Sequence, residues 1–324
     1  MVQAGATLRT HRPGQRAFLI APFEADPRDR FAIMPDLEFE LDEDIPPLPD
    51  RPTLPERAYR PGLDRSGYAD AVAAAVQHIR SGDLEKVVLA RTIPHPLPTD
   101  LVGALFAHAV QALPDAFVAL VRTREHGTWL GASPERLLRM RNGRVEVDAI
   151  AGTMPAAEVP EAPRWGIKER DEQHVVTEMV MRTLTDAGVK DLAVHGPKVL
   201  RAGPVAHLHS IVSGNCAGAD HLSIAAGLHP TPAVGGAPRS VAASLITRLE
   251  PRPRGAYAGY WGLVDSDAMD LYVNIRCMEL FNGHALLHVG AGITEGSDPE
   301  HECEEVERKA HTWTSLIARL GSAG

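Results

Sequence analysis

From Ser66 onward the apolar positions keep readable periods. Tyr68, Val72, Ala75 and Ile79 step by four and three and predict a helix over 68–80, which Ser81-Gly82-Asp83 ends. The run Leu84-Glu85-Lys86-Val87-Val88-Leu89-Ala90-Arg91 predicts a strand. A helix over 101–110 and strands over 116–122, 128–130 and 144–150 follow. Lys168 opens a long helix in which Val175, Val176, Met179, Val180 and Leu184 are apolar. Strands near 192–195 and 205–212 and a helix over 240–249 lead to a strand-rich end at 256–264, 269–280 and 285–293. Cys303, Val306, Ala310, Trp313, Ile317 and Leu320 then form the apolar stripe of a last amphipathic helix.

Before residue 66 the signal weakens. Strands are expected over 16–23 and 31–41, and the prolines of 46–61 read as a linker. This divides the chain into an N-terminal arm of strands, 1–65, lying on a main domain, 66–324. Helices and strand runs mix without regular βαβ alternation, and no internal repeat is found. The expected class is therefore α+β, with large, mostly antiparallel sheets packed with helices.

The last helix carries the first chemistry. Ser297 and Glu300 make a capping-box pattern, with Pro299 suited to the first turn. Glu302, Glu305 and Lys309 step along one edge of the apolar stripe. A charge row is ordinarily a solvated face. At the rim of a buried face, however, two carboxylates need a cation beside them. An oxygen-only pair at this spacing suits Mg²⁺, whereas no His/Cys set has the spacing of a zinc site.

Composition narrows the class. With 324 residues, 44% of them hydrophobic, the chain can build a large core. The net charge of −9 and the lack of a basic cluster argue against nucleic acid. Three widely spaced cysteines, Cys216, Cys277 and Cys303, read as free thiols in a reducing compartment. No long apolar run or leader pattern is seen, so a cytoplasmic protein without membrane contact is expected. There is no P-loop and no dinucleotide fingerprint.

Four further places stand out. Lys86 lies at one polar end of its strand; pointing inward, it would have its pKa lowered by desolvation, although such a lysine is more often solvated. Glu135 sits in a tight Ser-Pro turn between apolar runs, where a carboxylate is either a turn stabiliser or a buried acid with a raised pKa. Gly152, in Ala151-Gly152-Thr153, permits close backbone approach to a ligand. Glu172 falls in the first turns of the long helix, where the dipole favours its ionised form.

Taken in order, these stretches resemble the chorismate-utilising enzymes. The matching segments are Lys86 to Arg91, Gly131-Ala-Ser-Pro-Glu135, Ala151-Gly-Thr153, Lys168 to His174, Leu228-His-Pro-Thr-Pro-Ala233, Tyr257-Ala-Gly259, Ile275-Arg276 and Gly290 to Lys309. The resemblance implies a Mg²⁺-dependent enzyme acting on chorismate, with its site between packed sheets and helices. It implies Glu172, Glu302 and Glu305 as metal carboxylates. Arg276, Tyr257 and the backbone near Gly290 would grip the pyruvyl carboxylate, beside Ile275. Lys309 adds positive charge, Gly152 and Thr153 line the ring, and His207 matches a family position.

Lys86 stands where water-using members carry lysine and anthranilate synthases a glutamine. Ala151 stands where aminodeoxychorismate synthases often place a lysine. The resemblance therefore implies isochorismate synthesis, an isomerase activity, with Lys86 as base and Glu135 as acid. Salicylate synthase and the ammonia-using synthases are the alternatives. The pathway, menaquinone or siderophore, stays open, and so does the oligomeric state, with a monomer as the default. Gln173 and Cys303 depart from the family pattern beside Glu172 and Glu302.

Overall fold

The structure, a computed structural model, describes residues 9–10, 16–24, 31–34, 62–159, 165–202 and 205–321. The linker expected over 46–61 lies outside them, as does the expected strand beyond Met34. Strands and helices are numbered in chain order.

Two sheets carry the fold. The nine-stranded sheet runs, edge to edge, β1 (Arg9–Thr10), β3 (Phe31–Ile33), β2 (Ala17–Ala21), β12 (Tyr260–Val264), β13 (Ala268–Val273), β7 (Arg136–Arg141), β8 (Arg144–Pro155), β10 (Val205–Asn215) and β9 (Lys190–Ala202). The six-stranded sheet runs β11 (Gly236–Ala237), β4 (Lys86–Pro96), β15 (His284–Ile293), β14 (Cys277–Phe281), β6 (Gly127–Ser133) and β5 (Phe117–Thr123). Every pairing among the described residues is antiparallel; β2 with β12 and β4 with β15 are examples. Through β2 and β12 the first strands of the chain join the nine-stranded sheet.

The helices are α1 (Arg65–Arg80), α2 (Val102–Ala112), α3 (Ile167–Asp186), α4 (His221–Leu228), α5 (Arg239–Leu249) and α6 (Pro299–Gly321). Two hydrophobic cores result. One joins inner residues of both sheets, Leu138, Trp129 and Trp261 among them, to Val176, Val180 and Leu184 of α3. The other packs Leu89, Leu130 and Leu287 of the six-stranded sheet against Tyr68 of α1 and Val306 and Trp313 of α6. Alternation along the strands feeds both cores, as in β5, where Val118 turns to one and Ala119 to the other. The expected α+β class with antiparallel sheets is what forms.

Several local expectations change. The cap of α6 is Asp298, whose Oδ1 accepts from the backbone N–H groups of Glu300 and His301, each at 3.0 Å. Ser297 does not cap; its hydroxyl accepts from Thr294 N at 3.1 Å and closes the preceding turn. Asp298 wins because Pro299 takes the first helical position and fixes the cap one residue later. The strand expected over 256–264 begins only at Tyr260, because Gly255 and Ala258 adopt positive φ and turn the chain. The strand expected over 269–280 is broken at 274–276, where the chain leaves one sheet for the other. Helix α4, capped by the Asp220 side chain on Leu222 N, was hidden by its shortness. Among the described residues no helix is long and apolar enough to cross a membrane.

Candidate active site

The site is built at the seam between the sheets. Ser133, Pro134 and Glu135 carry the chain from β6 to β7, and Asn274, Ile275 and Arg276 carry it from β13 to β14. Each crossing joins a strand of one sheet to a strand of the other. The two are tied together: Ala132 N donates to Arg276 O, and Val273 N donates to Glu135 O, both at 3.0 Å. Arg276 has φ 48°, a left-handed conformation unusual outside glycine. Its carbonyl also accepts from Trp313 Nε1 of α6 at 2.8 Å, which helps hold that backbone in place.

A cavity of about 750 Å³ opens at this seam. Lys86 of β4, Glu135, Ile275 and Arg276 of the crossings, Gly152 of β8, Glu172 of α3 and His207 of β10 line it. So do Tyr257, Gly290 of β15, and Glu302, Glu305 and Lys309 of α6. Thr153 follows Gly152 on β8, opposite His207 in the ladder. Residues as far apart in the chain as Lys86 and Lys309 are thus brought to one concavity.

Burial and charge tune the groups. Desolvation lowers the Lys86 pKa; the Glu172 charge opposes this and Lys309 reinforces it. Burial pushes the Glu135 carboxyl up to about 7, helped by the charge of Asp148 and opposed by Lys86 and Arg276. Asp148 itself is held by Arg136 at 3.0 Å and by His209 at 3.1 Å. Burial brings His207 down to about 4, with Lys309 and Arg276 adding to it, so its imidazole is neutral at neutral pH. Burial also lowers the Arg276 pKa, against the pull of Glu135. Tyr257 keeps its proton, its pKa raised by burial.

The cavity presents oxygen donors for a cation. Glu302 and Glu305 sit half-buried one turn apart on α6, beside the buried stripe of Cys303, Val306 and Ala310. Glu172 faces the same cavity from α3. Among the described residues no three His, Cys, Asp or Glu side chains converge on one point, so the protein alone presents no closed cage. A hard ion held here would complete its shell with water and substrate oxygens, the habit of Mg²⁺. The carboxylate set fits that ion and does not fit a structural zinc site.

The departures beside the carboxylates lie outside the cavity. Gln173 turns into the sheet, donating to Ala149 O at 2.9 Å and Ser210 Oγ at 3.0 Å. Cys303 is buried under α1, with Sγ 3.6 Å from Arg65 O. Sequence reasoning missed other lining residues. Glu169 lies one turn before Glu172, and this same i, i+3 spacing was the signal that singled out Glu302 and Glu305. Trp313 and His288 also line the cavity, and only as members of an apolar stripe and a strand do they show in the sequence.

Comparison with known proteins places this geometry. The model of the chorismate binding enzyme family matches residues 10–315. Isochorismate synthase MenF of Escherichia coli is 32% identical over 262 residues, covering 78% of this chain and 61% of that protein. Anthranilate synthase component 1 of Streptomyces coelicolor is 32% identical over 277 residues, covering 81% of this chain and 53% of that protein. The solved structure of the menaquinone-specific isochorismate synthase MenF from Escherichia coli aligns with a TM-score of 0.79 at 27% identity, over 93% of this chain and 78% of that one. The chain spans between about half and three fifths of the length of these two curated relatives. It belongs to the chorismate-binding enzymes.

Proposed function

We propose that this chain is an isochorismate synthase, an isomerase that adds water at C2 of chorismate and expels the C4 hydroxyl. The observation that carries the reading is the pairing of Lys86 and Glu135 in one cavity, with the lysine's pKa lowered by burial and the carboxyl lifted to about 7. Lowering its pKa makes the amine easier to deprotonate and so readier to act as a base, and a carboxyl that holds its proton can give one. Identity alone does not choose the nucleophile, since a water-using and an ammonia-using relative are equally similar. The lysine at position 86 and the alanine at position 151 favour water.

In the proposed reaction Lys86 removes a proton from the water whose oxygen bonds to C2. The two ring double bonds shift, and the C4–O bond breaks as Glu135 protonates the departing hydroxyl. One water enters and one leaves, so the net change is isomerisation. Arg276 pairs with the pyruvyl carboxylate through its planar fork, assisted by Tyr257, Ile275 and the Gly290 backbone. Gly152, Thr153 and His207 border the ring, and Lys309 adds charge near the carboxylates. Glu172, Glu302 and Glu305, which line one cavity without closing a cage, would hold Mg²⁺ together with water and substrate oxygens, and the ion would supply charge neutralisation at the ring carboxylate. Residues 1–65 form an arm on the catalytic domain 66–324 in this reading, and the enzyme is cytoplasmic.

The test is incubation with chorismate and Mg²⁺, with and without ammonium, followed by identification of products. Isochorismate in both arms supports the reading. Salicylate and pyruvate would make the chain a salicylate synthase, and an amino product requiring ammonium would make it an ammonia-using synthase. No turnover in either arm overturns the reading.

A further inference from the structure

Lys86 is flanked by two strands, and each brings a glycine against it. On one side Gly236 of β11 pairs with Val87, in register with β4. A Cβ there would lie 2.3 Å from Lys86 O and 2.8 Å from Ala242 Cβ, and its φ is 137°. That glycine is required by backbone geometry. On the other side Gly292 of β15 pairs with Val88. Its φ is not in the left-handed range, so any residue fits its backbone. Yet a Cβ at Gly292 would lie 2.8 Å from Lys86 Cε and 3.4 Å from Nζ. No backbone atom and no other side chain stands among these close neighbours.

Along β15 the residues Ala291 and Ile293 enter the core under α6, while His288, Gly290 and Gly292 line the cavity. The missing side chain at Gly292 is therefore space on the cavity wall, and the tip of Lys86 fills it. We infer that Gly292 is a positioning residue for Lys86, present to let the lysine's terminal carbon and amine lie flat on β15 beneath the substrate. The inference rests on the reading of Lys86 as the base. Gly290 differs: a Cβ there meets the backbone oxygen of Leu89 at 2.9 Å as well as the Tyr257 hydroxyl at 2.6 Å, so no side-chain movement alone relieves it.

The separation of the two effects makes the idea testable. Carbon–carbon contacts settle at about 3.5–4.0 Å, so a methyl at Gly292 drives Lys86 Cε back by roughly 1 Å. The lysine tip is flexible and can yield, so the strand and the fold survive. A displacement of that size at a reacting group costs on the order of 10²-fold in rate.

The experiment uses the full chain with Gly292→Ala, beside Lys86→Ala and the parent protein. The expected result is an unchanged melting temperature, kcat down about 10²-fold and KM for chorismate within about twofold. The pH dependence of Lys86 acylation by an amine-directed reagent, read by peptide mass, should also shift in Gly292→Ala. Parental kcat overturns the inference. So does a raised KM with kcat kept, because the methyl then occupies substrate space, and so does a failure to fold, because the lysine then does not yield. If Lys86→Ala turns over normally while acylation in Gly292→Ala is shifted, the placement of Lys86 stands and its role as base falls.

Discussion

Lys309 Nζ lies 2.7 Å from Glu305 Oε1, one turn back on the same helix, and donates to Gly290 O at 2.8 Å. One ammonium thus pins α6 to β15 at the cavity and pairs with a carboxylate proposed to hold the metal. Burial alone would raise the Glu305 pKa; the charge and hydrogen bond of Lys309 overcome it and hold it below the usual carboxylate value. The carboxylate is ionised in the free protein at neutral pH and ready to accept a second cation.

Glu305→Gln should abolish Mg²⁺-dependent turnover while the protein stays folded, since the side chain is partly exposed and an amide can still accept from Lys309. Turnover assays across a Mg²⁺ titration, with circular dichroism as the fold control, check this. EDTA should silence the parent enzyme, and full activity in EDTA would remove the metal from the reaction.

Glu135 ties activity and stability to pH. As an acid it must hold its proton, so kcat/KM should fall as pH rises through about 7. Its carboxyl binds a proton more tightly folded than unfolded. Its contribution to stability is therefore full below the ordinary carboxylate range and is lost as pH climbs to about 7. Glu135→Gln should lower kcat by orders of magnitude and flatten that slope, gaining up to a few kcal/mol of relative stability at roughly pH 8. Lys86→Ala should lower kcat by a comparable factor with chorismate still bound. The double variant should be scarcely worse than either single one. Rate profiles and denaturant melts across pH read both effects.

The grip proposed for Arg276 depends on how its backbone is held. Arg276→Lys should raise KM for chorismate well beyond twofold, because an ammonium cannot copy the guanidinium fork. Trp313→Phe removes the indole N–H that bonds Arg276 O and leaves that half-buried carbonyl with one partner fewer. Because Ala132 N still donates to that carbonyl, the change should cost about 0.5–1.5 kcal/mol of stability and raise KM with less effect on kcat. An unchanged KM in both variants would place the pyruvyl carboxylate elsewhere.

Arg254 is a buried strut behind the cavity wall. It donates to Glu250 Oε2 at 2.8 Å, to Val234 O at 2.8 Å and to Val88 O at 2.7 Å, with its side chain 2% exposed. The guanidinium also lies 4.4 Å from the Phe23 ring centroid. Arg254→Met strands the Glu250 charge and should destabilise by about 3–5 kcal/mol. Adding Glu250→Gln should restore part of that loss, and a double-mutant cycle by urea melts measures the recovery.

Much of this is legible in the sequence. The step of three and four along Cys303, Val306, Ala310 and Trp313 fixes the buried face of α6, and with it the edge on which Glu302, Glu305 and Lys309 stand. Strand β15 and helix α3 were equally plain from their patterns. Less plain were features set by contacts between distant segments. The Ser-Pro turn at Glu135 and the break at Arg276 look like local irregularities in sequence. In the fold they are neighbouring crossings between two sheets, tied by Ala132 N and Val273 N. The capping box failed for a local reason: Ser297 and Asp298 both suit a cap, and Pro299 selects the second.

The sequence by itself determined every helix but α4, most strands, the α+β class and the row of charges on α6, because each depends on residues within a turn or two. It also held the ordered motifs that mark the chorismate-binding enzymes. Only the tertiary structure decided which groups meet and in what state. The pKa of Glu135 depends on its burial and on Asp148, Lys86 and Arg276, drawn from three other segments. The space beside Lys86 is a glycine on a strand some two hundred residues further along. Desolvation and Coulomb interaction act through space, so their sum at one side chain is fixed only when the chain has folded.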